Sequence, residues 1–425
     1  EFINSYFNTI NMQRFSSVIT MLLLVNMVYA QPKQQVQIQL PTGFKSTVVA
    51  NDLGRVRHIA VNRNGDLYMK LDRLVNGKGI YRLRDKNKDG VMEDTLAFGN
   101  YTGTGIAINN GYLYATSDQT IYRYKLDANQ NIINPDQPEI VVDGLMNKRQ
   151  HASKSITFDQ VGNLYVNIGA PSNVCQEQDR QKGSPGLTPC PILENAGGIW
   201  QFNTAKTNQT INDGVRYGTG MRNALGIDWN NEVNDLYVTI HGRDMLYQYF
   251  PEMYDQKRGA ELPSETFYRV KKGDDCGWPY IHWDHFQNKK ILNPEYGGDG
   301  KKEGAPNAIK PLVGFPGHMA PNALLIYSGN QFPEKYKHGA FIAFHGSWNR
   351  TPEPQEGFYV VFVPMKNGVP TGKWEVFADG FSGMSPVTNL SAAKHRPTGL
   401  AQGADGSIYV SDDKAGYVWK ISYNK

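Results

Sequence analysis

The stretch Gly65-Asp66-Leu67-Tyr68 is a turn pair followed by an aliphatic and an aromatic residue. The same figure returns as Gly111-Tyr112-Leu113-Tyr114, Gly162-Asn163-Leu164-Tyr165, Asn234-Asp235-Leu236-Tyr237, Gly339-Ala340-Phe341-Ile342 and Gly406-Ser407-Ile408-Tyr409, six copies in all. Gly and Asn tolerate the left-handed backbone of a tight turn, and the residues after them favour strand. Most copies follow another apolar run, such as His58-Ile59-Ala60-Val61 or Gly226-Ile227-Asp228-Trp229. Most precede a third, such as Gly198-Ile199-Trp200-Gln201-Phe202 or Tyr417-Val418-Trp419-Lys420-Ile421. Each unit therefore reads as a small antiparallel sheet that cannot bury both faces alone. Packing six of them in a ring predicts an all-β fold, a six-bladed β-propeller with blades of about 40 to 50 residues plus insertions. A β-sandwich is the competing topology, because strand spacing alone does not set connectivity.

Outward from this repeat, Phe44 to Val49 is a strand without a unit of its own, expected to close the ring by pairing within the last blade. The longest insertion, between Asp244 and Leu324, is rich in Gly, Pro and aromatic residues and is expected to form a loop-rich cap over one mouth. Composition agrees with many short strands and turns: 425 residues hold Gly 43, Pro 23 and 12% aromatics. Lys+Arg 44 against Asp+Glu 40 leaves a net charge of +4, and no block of like charges marks a polyanion-binding tail, so nucleic acid is not an expected partner.

Met12-Gln13-Arg14, the apolar stretch Val18 to Val28 and Val28-Tyr29-Ala30 follow the order of a signal peptide, with cleavage expected after Ala30. The apolar stretch is shorter than the roughly 20 residues of a membrane span. Residues 1–11 read as vector or untranslated sequence, residues 12–30 as the leader, and residues 36–425 as one propeller domain, secreted to the extracellular space or, in a bacterium, to the periplasm. Three cysteines suit that compartment. Cys175 and Cys190 share one Gly/Pro-rich loop and can pair, leaving Cys276 alone; three free thiols is the alternative. Asn100, Asn208, Asn349 and Asn389 head glycosylation sequons, which have meaning in a eukaryotic host.

In a propeller the chemistry belongs to the loops that converge on the central channel. These loops carry His151 before blade three, Arg222-Asn223 before blade four, His241-Gly242-Arg243-Asp244 within it, His318 before blade five, His345 to Arg350 within it, and Arg396 before blade six. A neutral histidine accepts a proton near neutral pH, and arginine binds carboxylates or a developing oxyanion. The set suits an anionic cofactor and a hydroxyl-bearing substrate, although any one of these residues alone is more often structural. Nucleotide-binding, zincin and serine-hydrolase motifs are absent from the sequence.

Taken together, Gly220-Met221-Arg222-Asn223-Ala224-Leu225-Gly226, His241-Gly242-Arg243-Asp244, Cys276-Gly277-Trp278-Pro279-Tyr280, His318-Met319-Ala320-Pro321, His345-Gly346-Ser347-Trp348-Asn349-Arg350 and Arg396-Pro397-Thr398-Gly399 resemble the PQQ-dependent glucose/sorbosone dehydrogenase family. The resemblance extends over nearly all of the chain after Gly43. It implies a six-bladed propeller that oxidises a sugar with pyrroloquinoline quinone (PQQ) and calcium. It implies that His151 takes the anomeric hydroxyl proton as hydride passes to PQQ, and that Arg222 stabilises the reacting quinone oxygen. Asn223 then hydrogen-bonds PQQ, Arg396 pairs with its carboxylates, Arg350 is a second candidate for that work, and His318 is a further cofactor-binding candidate. The backbone carbonyls of Gly242 and Arg243 are the implied calcium ligands. Leu225 and Ala170 depart from the glutamine and aspartate of the soluble glucose dehydrogenases, which puts glucose specificity in doubt.

Apart from these motifs, Asp85, Asn87 and Asp89 alternate before Gly90 as oxygen ligands do in calcium loops, but Leu96 at the twelfth position excludes an EF-hand. A structural calcium and a solvated hairpin turn both fit these residues. Two readings compete with a dehydrogenase: a cofactor-free ligand-binding propeller, and a calcium-dependent lactonase-type hydrolase, whose converging carboxylates the motifs do not show. No haem-attachment motif names the electron acceptor.

Overall fold

In this computed structural model the structure describes residues 36–424, so the expected leader and the residues before it lie outside the described residues. Each copy of the turn figure leads into the second strand of a four-stranded antiparallel sheet. Blade one is Val56–Val61, Leu67–Val75, Lys78–Arg84 and Asp94–Phe98; blade two is Ile106–Asn109, Tyr112–Thr116, Ile121–Lys125 and Glu139–Val142. Blade three is Ile156–Phe158, Asn163–Ile168, Gly198–Asn203 and Val215–Thr219, extended by a short parallel strand, Asp274–Asp275. Blade four is Gly226–Asn230, Asp235–Ile240, Ser264–Val270 and Val313–Gly317; blade five is Pro321–Ile326, Ala340–Phe344, Tyr359–Val363 and Glu375–Ala378. Blade six is Pro397–Gln402, Ile408–Asp412 and Val418–Tyr423, with Phe44–Ala50 as its outermost strand.

The ring closes as the unit-less strand implied: Phe44 pairs with Tyr423 and Val48 with Trp419 in an antiparallel register. Six apolar clusters fill the six blade-to-blade interfaces, for example Tyr165 stacked on Trp229 between blades three and four, with ring centroids 4.9 Å apart. Among the described residues each blade buries apolar side chains against both of its neighbours, as a ring of such sheets requires. Residues from the innermost strand of every blade, among them Ile59, Ile106, Ile156, Ile227, Leu324 and Leu400, line a channel cavity of about 220 Å³.

The insertion between Asp244 and Leu324 differs from its expected form. It contains the two outer strands of blade four, and its last residues belong to the inner strand of blade five. Ser264–Val270 reads Ser-Glu-Thr-Phe-Tyr-Arg-Val, whose buried polar residues hide a strand among the surrounding Gly and Pro. The cap proper is two short helices, Leu246–Tyr249 and Gln256–Glu261, and a hairpin of Ile281–Asp284 with Lys289–Leu292. Among the described residues no helix is long and apolar enough to cross a membrane.

Candidate active site at one mouth of the ring

The chain alternates direction within each blade, so the loop after the second strand and the connector from the outermost strand to the next blade emerge on one face. All the histidines and arginines named from the loops lie in such segments. The turn figures themselves lie on the opposite face, as does the Asp85 to Glu93 loop, which joins the third and fourth strands of blade one.

His151 sits in the connector into blade three with a left-handed backbone, φ 54°. Its Nδ1 lies 2.6 Å from the Ala170 carbonyl. A carbonyl only accepts, so the ring proton is on Nδ1 and the lone pair is on Nε2. Burial and the nearby Arg222 charge push the imidazole pKa down to about 3, so the ring is neutral at ordinary pH.

Arg222 is buried and held from two sides. Its Nε and Nη2 donate to the carbonyl and amide oxygens of Asn173, at 3.2 and 3.1 Å, and Nη2 also donates to Asp244 at 2.7 Å. Asn173 in turn accepts from the Asp244 backbone N–H at 2.8 Å and, through its carbonyl, from Trp278 Nε1 at 2.9 Å. Burial opposes the charge of Asp244, but Arg222, His318 and Arg180 outweigh it and hold the carboxyl well below its usual range. The Asn173 loop is stapled by a disulfide between Cys175 and Cys190, while Cys276 is free and buried. Asn223 is also buried, its amide oxygen accepting from Asn167 at 3.3 Å.

A second charged group lies where blades five, six and one meet. Asp413 accepts from Arg57 at 2.8 Å and is 2.7 Å from His345 Nε2. Arg396 donates to the carbonyls of His345 and Gly346 and leaves Nη1 without a protein partner among the described residues. Gly242 N donates to the buried carboxyl of Glu265 at 3.0 Å. The carbonyl oxygens of Gly242 and Arg243 accept no hydrogen bond from any described residue. Carbonyl oxygens left free in this way are ready ligands for a hard cation.

Two expected site residues have other partners. Arg350 donates to the carbonyls of Ala260, Gly317 and Pro354 and to Glu261 at 2.6 Å, so its guanidinium ties the cap helix Gln256–Glu261 to blade five. That engagement counts against Arg350 as a cofactor ligand. His318 Nε2 faces the carbonyls of Gly259 and Leu262 at 3.0 and 3.1 Å, which leaves Nδ1 for the mouth. In the exposed Asp85 loop the carboxylates accept from their own turn: Asp85 from the N–H groups of Asp89 and Gly90, and Asp89 from Val91. That is the bonding of a hairpin turn, and among the described residues no group of three or more His, Cys, Asp or Glu gathers to hold a metal. Asn349 donates its amide to Asp244 at 3.0 Å, so this sequon nitrogen is engaged inside the mouth.

Asn173, Glu265, Arg57 and Asp413 were not among the residues singled out. Arg57 had a positional signal: it lies at the start of the inner strand of blade one, second, after Val56, as Arg396 precedes that of blade six. Asp413 follows the second strand of blade six much as Asp244 follows that of blade four. Asn173 and Glu265 had none, being an ordinary amide in a loop and a carboxyl in an unrecognised strand.

The fold and this mouth define a six-bladed propeller whose loops present histidine and arginine to a central pocket. The chain belongs to the TrAA12-like family, which matches residues 38–424. It is 23% identical to a pyrroloquinoline quinone-dependent pyranose dehydrogenase of Coprinopsis cinerea over 92% of this chain and 55% of that protein's length. It is 24% identical to an uncharacterized protein of Borreliella burgdorferi over 100% of this chain and 99% of the other. Among solved structures, the holo PQQ domain of the Coprinopsis cinerea pyranose dehydrogenase superposes with a TM-score of 0.74 at 21% identity, covering 92% of this chain and 98% of that one. The calcium structure of the Trichoderma reesei family AA12 enzyme gives 0.73 at 17% identity, covering 92% and 98%.

Proposed function

We propose that this protein is a PQQ-dependent sugar dehydrogenase that works with calcium. The observation that carries the reading is the pairing, at one mouth, of a neutral histidine, His151, with a buried cation, Arg222. The relatives' activity supports it, and the chain spans about half the length of the Coprinopsis cinerea protein. Bound PQQ would supply a quinone carbon that accepts hydride. His151 Nε2 would accept the proton of the sugar's anomeric hydroxyl, with Ala170 holding the tautomer that makes this possible. Arg222, fixed by Asn173 and Asp244, would stabilise negative charge gathering on oxygen, and the neighbouring Asn223 would hydrogen-bond PQQ. Arg396, with its free Nη1, and His318 would hold the cofactor. The unpaired carbonyls of Gly242 and Arg243 would bind calcium, completed by the cofactor's own oxygens. Export through residues 12–30 fits an enzyme with a Cys175–Cys190 disulfide.

The test is to titrate metal-free apo-protein with PQQ, with and without calcium, while following dye reduction by a panel of aldoses. Turnover is expected only when both are present. Equal PQQ binding and turnover in verified metal-free protein would remove calcium from the reading, and a protein that binds sugars yet never reduces dye would return it to a binding propeller.

A further inference from the structure

Lys154 is among the largest fully buried side chains of the chain, and no carboxylate forms an ion pair with it among the described residues. Its Nζ donates to the carbonyl of Met146 at 2.6 Å and to that of Ala152. Those two carbonyls bracket the turn Asn147 to His151. An ammonium taken out of water is costly, and burial lowers the Lys154 pKa to about 8, opposed by the charge of Asp118, which forms no ion pair with it. The direct hydrogen-bond partners of its charged form are the carbonyls of this one loop. The strand end is anchored from the other side, where Thr116 Oγ1 donates to the Lys154 carbonyl at 2.8 Å and also accepts from Gly105 N–H. His151 meanwhile occupies a left-handed conformation that a residue with a side chain adopts only when its surroundings impose it.

We infer that Lys154 is the positioning residue of His151: by drawing the Met146 and Ala152 carbonyls onto one buried ammonium, it imposes the turn from which the imidazole is presented to the mouth. Lys70 provides the internal contrast. It is equally buried and its Nζ donates to the carbonyls of Gly79 and Tyr101, at 3.1 and 2.6 Å, but the segments it joins carry none of the residues assigned to the reaction. The same chemical device thus stabilises blade one at Lys70 and the proton acceptor's loop at Lys154.

The inference rests on His151 acting as the proton acceptor, and the experiment separates the two. Holoenzyme carrying Lys154→Met, Lys70→Met, His151→Gln or His151→Gln with Lys154→Met is compared for kcat, KM, PQQ affinity and melting temperature. Lys154→Met is expected to lower kcat by about tenfold to a hundredfold with PQQ affinity unchanged, the scale of a misplaced catalytic group. Lys70→Met is expected to lose similar melting temperature at unaltered kcat. The double variant should be no slower than His151→Gln alone, because the two residues act as one unit. Normal kcat in Lys154→Met, when His151→Gln is inactive, overturns the positioning role; so does an equal fall in kcat for Lys70→Met. Normal kcat in His151→Gln overturns the underlying reading instead. Should Lys154→Met fail to fold, Lys154→Gln, which keeps one neutral donor, replaces it with the same outcomes.

Discussion

The two ends of the central channel are built by the same six inner strands and have opposite characters. Away from the mouth the lining is mostly isoleucine, leucine and alanine, and similar residues recur from blade to blade. At the mouth no two blades contribute the same set: blade three's connector brings His151, blade four's brings Arg222, and Asp413 follows the second strand of blade six. Packing around a ring asks the same thing of every blade, so it tolerates repetition. Chemistry asks for one acceptor, one cation and one fixed geometry, so it breaks the symmetry in the loops, where insertions cost the sheets little.

The contrast breaks first, and most, at His151. His151→Gln is expected to lower kcat at least about a hundredfold at unchanged PQQ affinity, the scale for losing a general base. Steady-state dye reduction at several PQQ concentrations checks this, and near-normal turnover in folded protein would move the base to His318 or His345. Arg396→Ala should act on binding instead. Losing one charge-assisted contact weakens PQQ by about 1.5–3 kcal/mol, and saturating cofactor should recover much of the rate.

In the apolar lining of the channel, Ile227→Ala sharpens the contrast by doing little to catalysis. Ile227 is buried between blades three and four, so its truncation should cost about 2–5 kcal/mol in urea unfolding while kcat and PQQ affinity hold. A matching fall in kcat would show that the channel lining and the mouth are mechanically coupled.

The smallest effect is on the pH dependence of stability. Burial lowers the pKa of His58 and His282 to about 4 and of His151 and His241 to about 3. Against an unfolded value of 6.5, the unfolded chain binds more protons between about pH 3 and 6.5, so these groups make stability rise with pH across that window. Glu265 and Asp228, raised by burial to about 8 and 6, act in the opposite sense. Burial also lowers His285, His318 and His345 and raises Asp72 and Glu356, so with seven histidines against four carboxyls the unfolding free energy should climb from pH 4 to 6.5; a fall over that range would mean that the histidines are solvated.

The ring was legible because the Gly65 figure repeats a local rule, a turn followed by strand, and local rules are written in adjacent residues. His151, Arg222 and Arg396 were legible as unusual residues at the right places in that repeat. What holds them was not. Asn173 reaches Arg222 across 49 positions of sequence and Asn349 reaches Asp244 across 105, and neither amide differs from any other until the blades bring it there. The partners of Arg350 were equally hidden: its string suggested a cofactor ligand, and nothing in it pointed to the Ala260 carbonyl and Glu261 carboxylate of a cap helix about 90 positions away or to the Gly317 carbonyl. The outer strands of blade four were lost because Ser264, Glu265 and Thr266 are polar residues that the fold nevertheless buries.

The pairing of Phe44–Ala50 with Val418–Tyr423 also has a mechanical consequence. Gly43 and Asn424 leave the same end of this antiparallel pair, with Asn424 N–H donating to the Gly43 carbonyl at 3.0 Å. A pull applied between those two residues would therefore load the rungs one after another, from Phe44 and Tyr423 inward, rather than all together. In the other five blades the four antiparallel strands follow one another in sequence, so this pairing is where a blade is closed by the two far ends of the described chain.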